Sequence, residues 1–88
     1  MCIKIHTSPL FAYYVDNQDI VEVNGKTIGE CLKNLVAQFP NLKMFDKEGN
    51  LYSYIYISVN GEDAYPNELE KPVKDGDELV ITPMISGG

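Results

Sequence analysis

Histidine occurs once in this chain, cysteine twice and tryptophan not at all, and seven bases stand against thirteen acids. A lone His6 leaves nothing from which to assemble a histidine-based metal cluster or a charge-relay triad; on an alternating strand it reads as a surface or edge residue. Cys2 and Cys31 lie far apart, form no C-x-x-C pair and have no flanking bases that would lower a thiol pKa. A zinc site, redox motif or nucleophilic cysteine is therefore unsupported, and each reads as a small hydrophobe. No apolar run approaches the roughly 20 residues of a membrane span. The start, Met1–His6, has no basic stretch ahead of an apolar block, so no secretory signal is expected. All this fits a reducing cytoplasm. Gly25, Gly49, Gly61 and Gly76 are each isolated, and no glycine-rich phosphate cradle is present. The net charge of −6 repels phosphate backbones and argues against nucleic acid, while steering the chain toward a basic surface on a protein partner. The acidic pairs Asp75/Asp77 and Glu62/Asp63 fall at turns, where solvated carboxylates are usual. Autonomous catalysis is not expected.

What remains is the composition of an ordinary folded domain, 44% apolar and 23% charged over 88 residues, with no repeat, linker or low-complexity tract. One domain spanning residues 1–88 is expected. Ile3 and Ile5 alternate with Cys2, Lys4 and His6, which predicts a half-buried strand over Met1–Thr7, closed by Ser8-Pro9. Leu10–Val15 is apolar and aromatic without a clear period and receives no assignment. A second short strand covers Ile20–Val23. Thr27-Ile28-Gly29-Glu30 matches a capping box, and Ile28, Leu32, Leu35, Val36 and Phe39 then share one helical face, with Cys31 beside it and Pro40 ending the run. About 13 residues give a helix of roughly 20 Å. After the polar turn Asp46–Asn50, Ile55, Ile57 and Val59 alternate with Tyr54, Tyr56 and Ser58 in a third strand. Tyr65-Pro66-Asn67 is irregular, Leu69 and Val73 cap one end of the core, and Asp75-Gly76-Asp77 is a tight turn before a last strand, Glu78–Thr82.

The order predicts an α+β fold: a four- to five-stranded sheet with one helix on one face. Ile3, Ile5, Val21, Val23, Ile55, Ile57, Val59, Leu79 and Ile81 would face the helix. Lys4, His6, Tyr56, Ser58, Val80 and Thr82 would form an open, partly apolar face suited to docking. The most informative positions are the last two. Gly87 and Gly88 follow the final strand through Pro83-Met84-Ile85-Ser86. The carboxylate so placed ends an arm whose final positions have no side chain, a shape that chemistry on a chain's own terminus requires. Two terminal glycines arise by chance in about one sequence in 200, so the pair alone is weak.

Three stretches strengthen it: Val23–Leu32 with Asn24-Gly25-Lys26-Thr27, Val59-Asn60-Gly61-Glu62-Asp63, and Lys74–Gly88 with its Asp-Gly-Asp, apolar strand, proline and Gly-Gly in that order. They resemble the MoaD/ThiS family of ubiquitin-like sulfur carriers over most of the chain, with Leu10–Ile20 the vaguest part. The resemblance implies a β-grasp (ubiquitin-like) fold with the first and last strands parallel at the sheet centre. It further implies a flexible tail over about 84–88 and a Gly88 carboxylate that is adenylated and then thiocarboxylated, with Gly87 beside it. Pro83, Met84, Ile85 and Ser86, together with Val80 and Tyr56, would bind partners. The implied partners are an E1-like adenylyltransferase (MoeB/ThiF-like), a persulfide donor or sulfurtransferase, and a molybdopterin synthase large subunit (MoaE-like). ATP and magnesium would be used by the activating partner, with no cofactor bound stably to this chain. The segment Lys43–Tyr54 resembles the molybdopterin synthase small subunit more than the thiamin carrier, which points to molybdenum or tungsten cofactor synthesis. Carriers for thiamin or for cysteine and homocysteine synthesis, and modifiers conjugated through the terminal glycine, share the same end.

Overall fold

A computed structural model of the chain describes residues 2–83. The expectations for Met84, Ile85, Ser86, Gly87 and Gly88 lie outside the described residues, as does the predicted strand start at Met1. Five strands and one α-helix follow in the order β1 (Cys2–Thr7), β2 (Ile20–Asn24), α1 (Ile28–Gln38), β3 (Ile55–Val59), β4 (Glu62–Asp63) and β5 (Glu78–Pro83). The sheet order is β2-β1-β5-β3-β4. β1 and β5 run parallel, and every other neighbouring pair is antiparallel. This is the β-grasp arrangement that the resemblance implies, with the first and last strands meeting in mid-sheet.

Register explains the core. Val21 lies opposite Ile5, Ile5 opposite Leu79, and Leu79 opposite Val59, so one row of branched side chains crosses four strands. Ile57 and Ile81 form the next row. Against these rows α1 sets Ile28, Cys31, Leu32 and Leu35, all inaccessible to solvent. Burial of each such side chain contributes about 1.5–3 kcal/mol. Cys31, expected beside the stripe, is part of it, whereas Val36 and Phe39 are only half-buried at its margin. α1 has 11 residues rather than about 13, because Phe39 already departs from helical angles ahead of Pro40. Its start is capped as predicted: Glu30 N–H donates to Thr27 Oγ1 at 3.2 Å, and the Glu30 carboxylate accepts from Lys26 N–H at 2.9 Å. Gly29 lets α1 touch the 3₁₀ turn at Glu68–Glu70, since a Cβ there would lie 2.8 Å from the Leu69 carbonyl oxygen.

Further features depart from expectation. Residues Pro9–Val15, left unassigned, form a 3₁₀ helix whose first turn is capped by Ser8 Oγ, accepting from Leu10 N–H at 3.2 Å. Only Phe11 and Val15 of its seven residues are buried, which is why no period showed. A two-residue strand, β4, and a 3₁₀ turn at Glu68–Glu70 occupy the irregular stretch before Val73. Ser58, expected on the open face, is only 8% exposed, flanked in register by Val80 and Asp63, while Val59 is half-buried rather than fully inside. Asp77 is likewise 8% exposed rather than solvated. Its carboxylate accepts from the Asn60 side-chain amide at 3.0 Å and from Lys74 N–H at 2.9 Å, locking the turn before β5 to the turn after β3. Those bonds, the Asn60 one foremost, hold its pKa below the usual carboxylate range.

Candidate functional site

β5 is the strand that matters, because the residues expected to do chemistry continue from it. Leu79 and Ile81 anchor it in the core with no solvent exposure. β1 accompanies it only as far as Ile81, whose carbonyl accepts from Ser8 N–H at 3.2 Å before Pro9 turns the chain away. Among the described residues, Thr82 and Pro83 then pair with β3 alone, opposite Tyr56 and Ile55. Pro83, the last described residue, has no N–H to offer the ladder. The five residues beyond it would reach at most about 17 Å when extended.

β1 and β5 finish at the end of the sheet where the antiparallel β2 and β3 begin. Their connections therefore surround the root of the tail. On one side stands the 3₁₀ helix with Tyr13, 82% exposed, and Tyr14, whose rings meet edge to face at 5.3 Å. On the other, Tyr52 and Tyr54 stack at 5.4 Å just ahead of β3. With Tyr56, five of the six tyrosines gather at this end. Each offers an apolar ring with a polar tip, the kind of side chain that binds well at a partly wet contact. The number of tyrosines was visible in the sequence, but their convergence was not, because it depends on which strand ends coincide.

Of the predicted partner-binding residues, Val80 and Tyr56 share the open face of the sheet with Lys4 and Thr82, whereas Pro83, in register with buried Ile55, falls on the other side of β5. His6 joins that face from an interior strand, not an edge. Its Nε2 lies 2.5 Å from Glu78 Oε1, and the two border a shallow hollow of about 410 Å³ completed by Asn60 and Val80. Cys2 is exposed yet held toward its thiol form, by desolvation first and then by the Glu22 carboxylate that accepts its S–H at 3.5 Å. Burial does the same to Cys31. Neither has the electropositive setting of a reactive thiolate. Among the described residues no three His, Cys, Asp or Glu side chains are grouped to hold a metal ion, and no helix is long and apolar enough to cross a membrane.

Comparison with known proteins agrees with this geometry. The ThiS family profile matches residues 10–88. Small archaeal modifier protein 1 of Haloferax volcanii is 39% identical over 71 residues, 77% of this chain and 78% of that protein. Its crystal structure superposes with a TM-score of 0.86 at 30% identity over the whole of both chains. The sulfur carrier protein CysO of Mycobacterium tuberculosis is 26% identical over 93 aligned positions spanning both proteins. A chain in the crystal structure of the Amycolatopsis orientalis BexX/CysO complex gives a TM-score of 0.85 at 30% identity, covering 98% of this chain and 99% of that one.

Proposed function

The chain belongs to the ThiS family of ubiquitin-like sulfur carriers and modifiers, and from that premise we propose that it carries sulfur as a thiocarboxylate on Gly88. At neutral pH a terminal carboxylate, with a reference pKa near 3.5, is ionised and a poor electrophile. An E1-like partner using ATP and magnesium converts it to an acyl-adenylate with loss of pyrophosphate. The outer sulfur of a persulfide displaces AMP, and a thiol then attacks the donor-side sulfur of the resulting acyl disulfide, releasing the thiocarboxylate and leaving a disulfide on the donor. Gly87 and Gly88 pass the narrow part of each partner's channel, Met84, Ile85 and Ser86 line its mouth, and Val80, Tyr56 and Pro83 seat the domain against the partner. The domain itself contributes binding and reach, and the catalytic groups are the partners'. The cytoplasm, where thiols stay reduced, is the compartment this chemistry suits.

The observation that carries this reading is the placement of Pro83. It lies on a core-anchored central strand just past the point where the neighbouring strand has turned away, five residues before Gly88, in the fold of the sulfur carriers. Intact-mass spectrometry tests it. After incubation with the cognate activating enzyme, ATP, a persulfide donor and a thiol reductant, the mass should rise by about 16 Da, oxygen replaced by sulfur, on Gly88. An unchanged mass overturns it.

For the acceptor, we propose first the pterin precursor of molybdenum or tungsten cofactor, with a MoaE-like large subunit, on the strength of the Lys43–Tyr54 segment. The relatives favour a second reading specifically. One is named a modifier and another CysO, which supports conjugation to protein lysines or sulfur delivery to an amino acid. Covalent ladders on immunoblots, abolished by deleting Gly87 and Gly88, would decide for the modifier.

A further inference from the structure

β4 pairs with only Ser58 and Val59 of β3. The ladder's last bond on that side is Ala64 N–H to the Ile57 carbonyl at 3.0 Å. Among the described residues, no strand lies beside Ile55–Ile57 there; Ile55 N–H is taken by the Tyr52 carbonyl at 3.1 Å, which leaves the Ile55 carbonyl and the Ile57 N–H as the open part of the edge. A cleft of about 740 Å³ runs along it. Three consecutive strand residues, Ile55, Tyr56 and Ile57, line the cleft. Alternate residues of a strand face opposite ways, so a cavity touching all three lies along the strand's edge and not upon one face. N–H and C=O of one strand residue point to the same side, which turns the Ile57 amide toward the cleft as well.

Both walls are pinned. On one, Leu51 bridges to Phe45, and Tyr52 N–H donates to the Met44 carbonyl at 2.9 Å. On the other, Leu69 rests on α1 through the Gly29 contact. Leu51 and Leu69 are partly buried against the core and give the cleft an apolar lining. Asp63, Glu68 and Glu70 place three carboxylates around it.

We propose that this cleft is a strand-addition site for an extended segment of a partner protein in which apolar residues alternate with lysine or arginine. A strand laid about 4.8 Å from β3 would donate to the Ile55 carbonyl and accept from the Ile57 N–H, turn alternate side chains toward Leu51 and Leu69, and present the others to the carboxylates. Charge selects among occupants. A second copy would bring its own Asp63, Glu68 and Glu70 and a net charge of −6. Met84–Gly88 has no basic side chain and would add its carboxylate to theirs. The cleft meets the open face at Tyr56, and strand addition there does not require Gly88 to be loaded.

Titration of the ¹⁵N-labelled full chain with an acetylated, amidated hexapeptide alternating lysine and valine tests this. Amide shifts should change over Tyr52–Ile57 and Asp63–Glu70, and hydrogen exchange at Ile57 should slow. The double variant Glu68→Gln, Glu70→Gln should weaken binding on the order of tenfold at low salt. A peptide N-methylated on the pairing edge should fail to bind. No response, a response centred on the β2 edge, equal binding by the N-methylated peptide or by the double variant would each overturn the proposal. So would concentration-dependent shifts of the same amides in the chain alone, which would make a second copy the occupant. Shifts of those amides on removing Met84–Gly88 would likewise overturn it, by making the tail the occupant.

Discussion

Asp77 joins the two turns that flank β5, and three groups act through it: its own carboxylate, the Asn60 amide and the Lys74 N–H. Asn60 in turn accepts from Glu78 N–H at 3.0 Å, so the same side chain also steadies the first residue of β5. Because folding lowers the Asp77 pKa, its contribution is complete above the ordinary carboxylate value near 3.9 and disappears as pH falls from there through the folded value. Denaturation midpoints should therefore drop more steeply below about pH 4 in the wild type than in Asp77→Asn, measured by urea melts at stepped pH. Parallel curves would remove Asp77 from that role. The sequence placed this residue in a tight turn correctly. Its burial could not be read there, since Asn60 lies 17 residues away and only the sheet brings them together.

Among the elements, α1 was the most legible, because a capping box and an apolar stripe are both local patterns. What those patterns could not show is the neighbour at Gly29. A methyl group there would gain helix propensity of up to about 1 kcal/mol, but it would stand 2.8 Å from a backbone oxygen of the Leu69 turn. Gly29→Ala should therefore destabilise by about 1–3 kcal/mol, with chemical-shift changes spreading to Glu68–Glu70. Unchanged or raised stability would mean the turn yields freely. The 3₁₀ helix at Pro9–Val15 was illegible for the opposite reason. With two inward residues in seven, its burial follows neither the strand nor the α-helix period. Its outward residues matter instead. Replacing Tyr13 and Tyr14 by alanine should weaken association with the activating enzyme by about 1–2 kcal/mol in calorimetric titration. Thermal stability should hardly change, since Tyr13 is largely exposed.

Across the whole molecule, anchorage and chemistry are divided between the buried sheet and the chain's end. Leu79 and Ile81 lock β5 into the core, and the positions expected to react come only after Pro83. Such a division predicts that a bulky replacement at the last residue, Gly88→Phe, abolishes sulfur transfer in a reconstituted assay while leaving the thermal midpoint within error of wild type. Retained transfer would make the terminal glycines incidental. The acidic surface adds a kinetic consequence: association with a basic partner should slow as salt rises, over the concentrations where the Debye length shrinks below about 10 Å.

Patterns that lie along the chain were readable directly: alternation in β1 and β3, the capped amphipathic α1, the Asp-Gly-Asp turn, and the order proline then Gly-Gly. Each depends on residues within a few positions of one another, where covalent geometry and side-chain period dictate the outcome. Pairing across the sheet set the rest: the burial of Ser58 between Val80 and Asp63, the gathering of tyrosines around Pro83, the Asn60–Asp77 tie and the uncovered edge of β3. These arise from contacts between segments remote in sequence, made when β1 and β5 meet in parallel, and no local propensity encodes them.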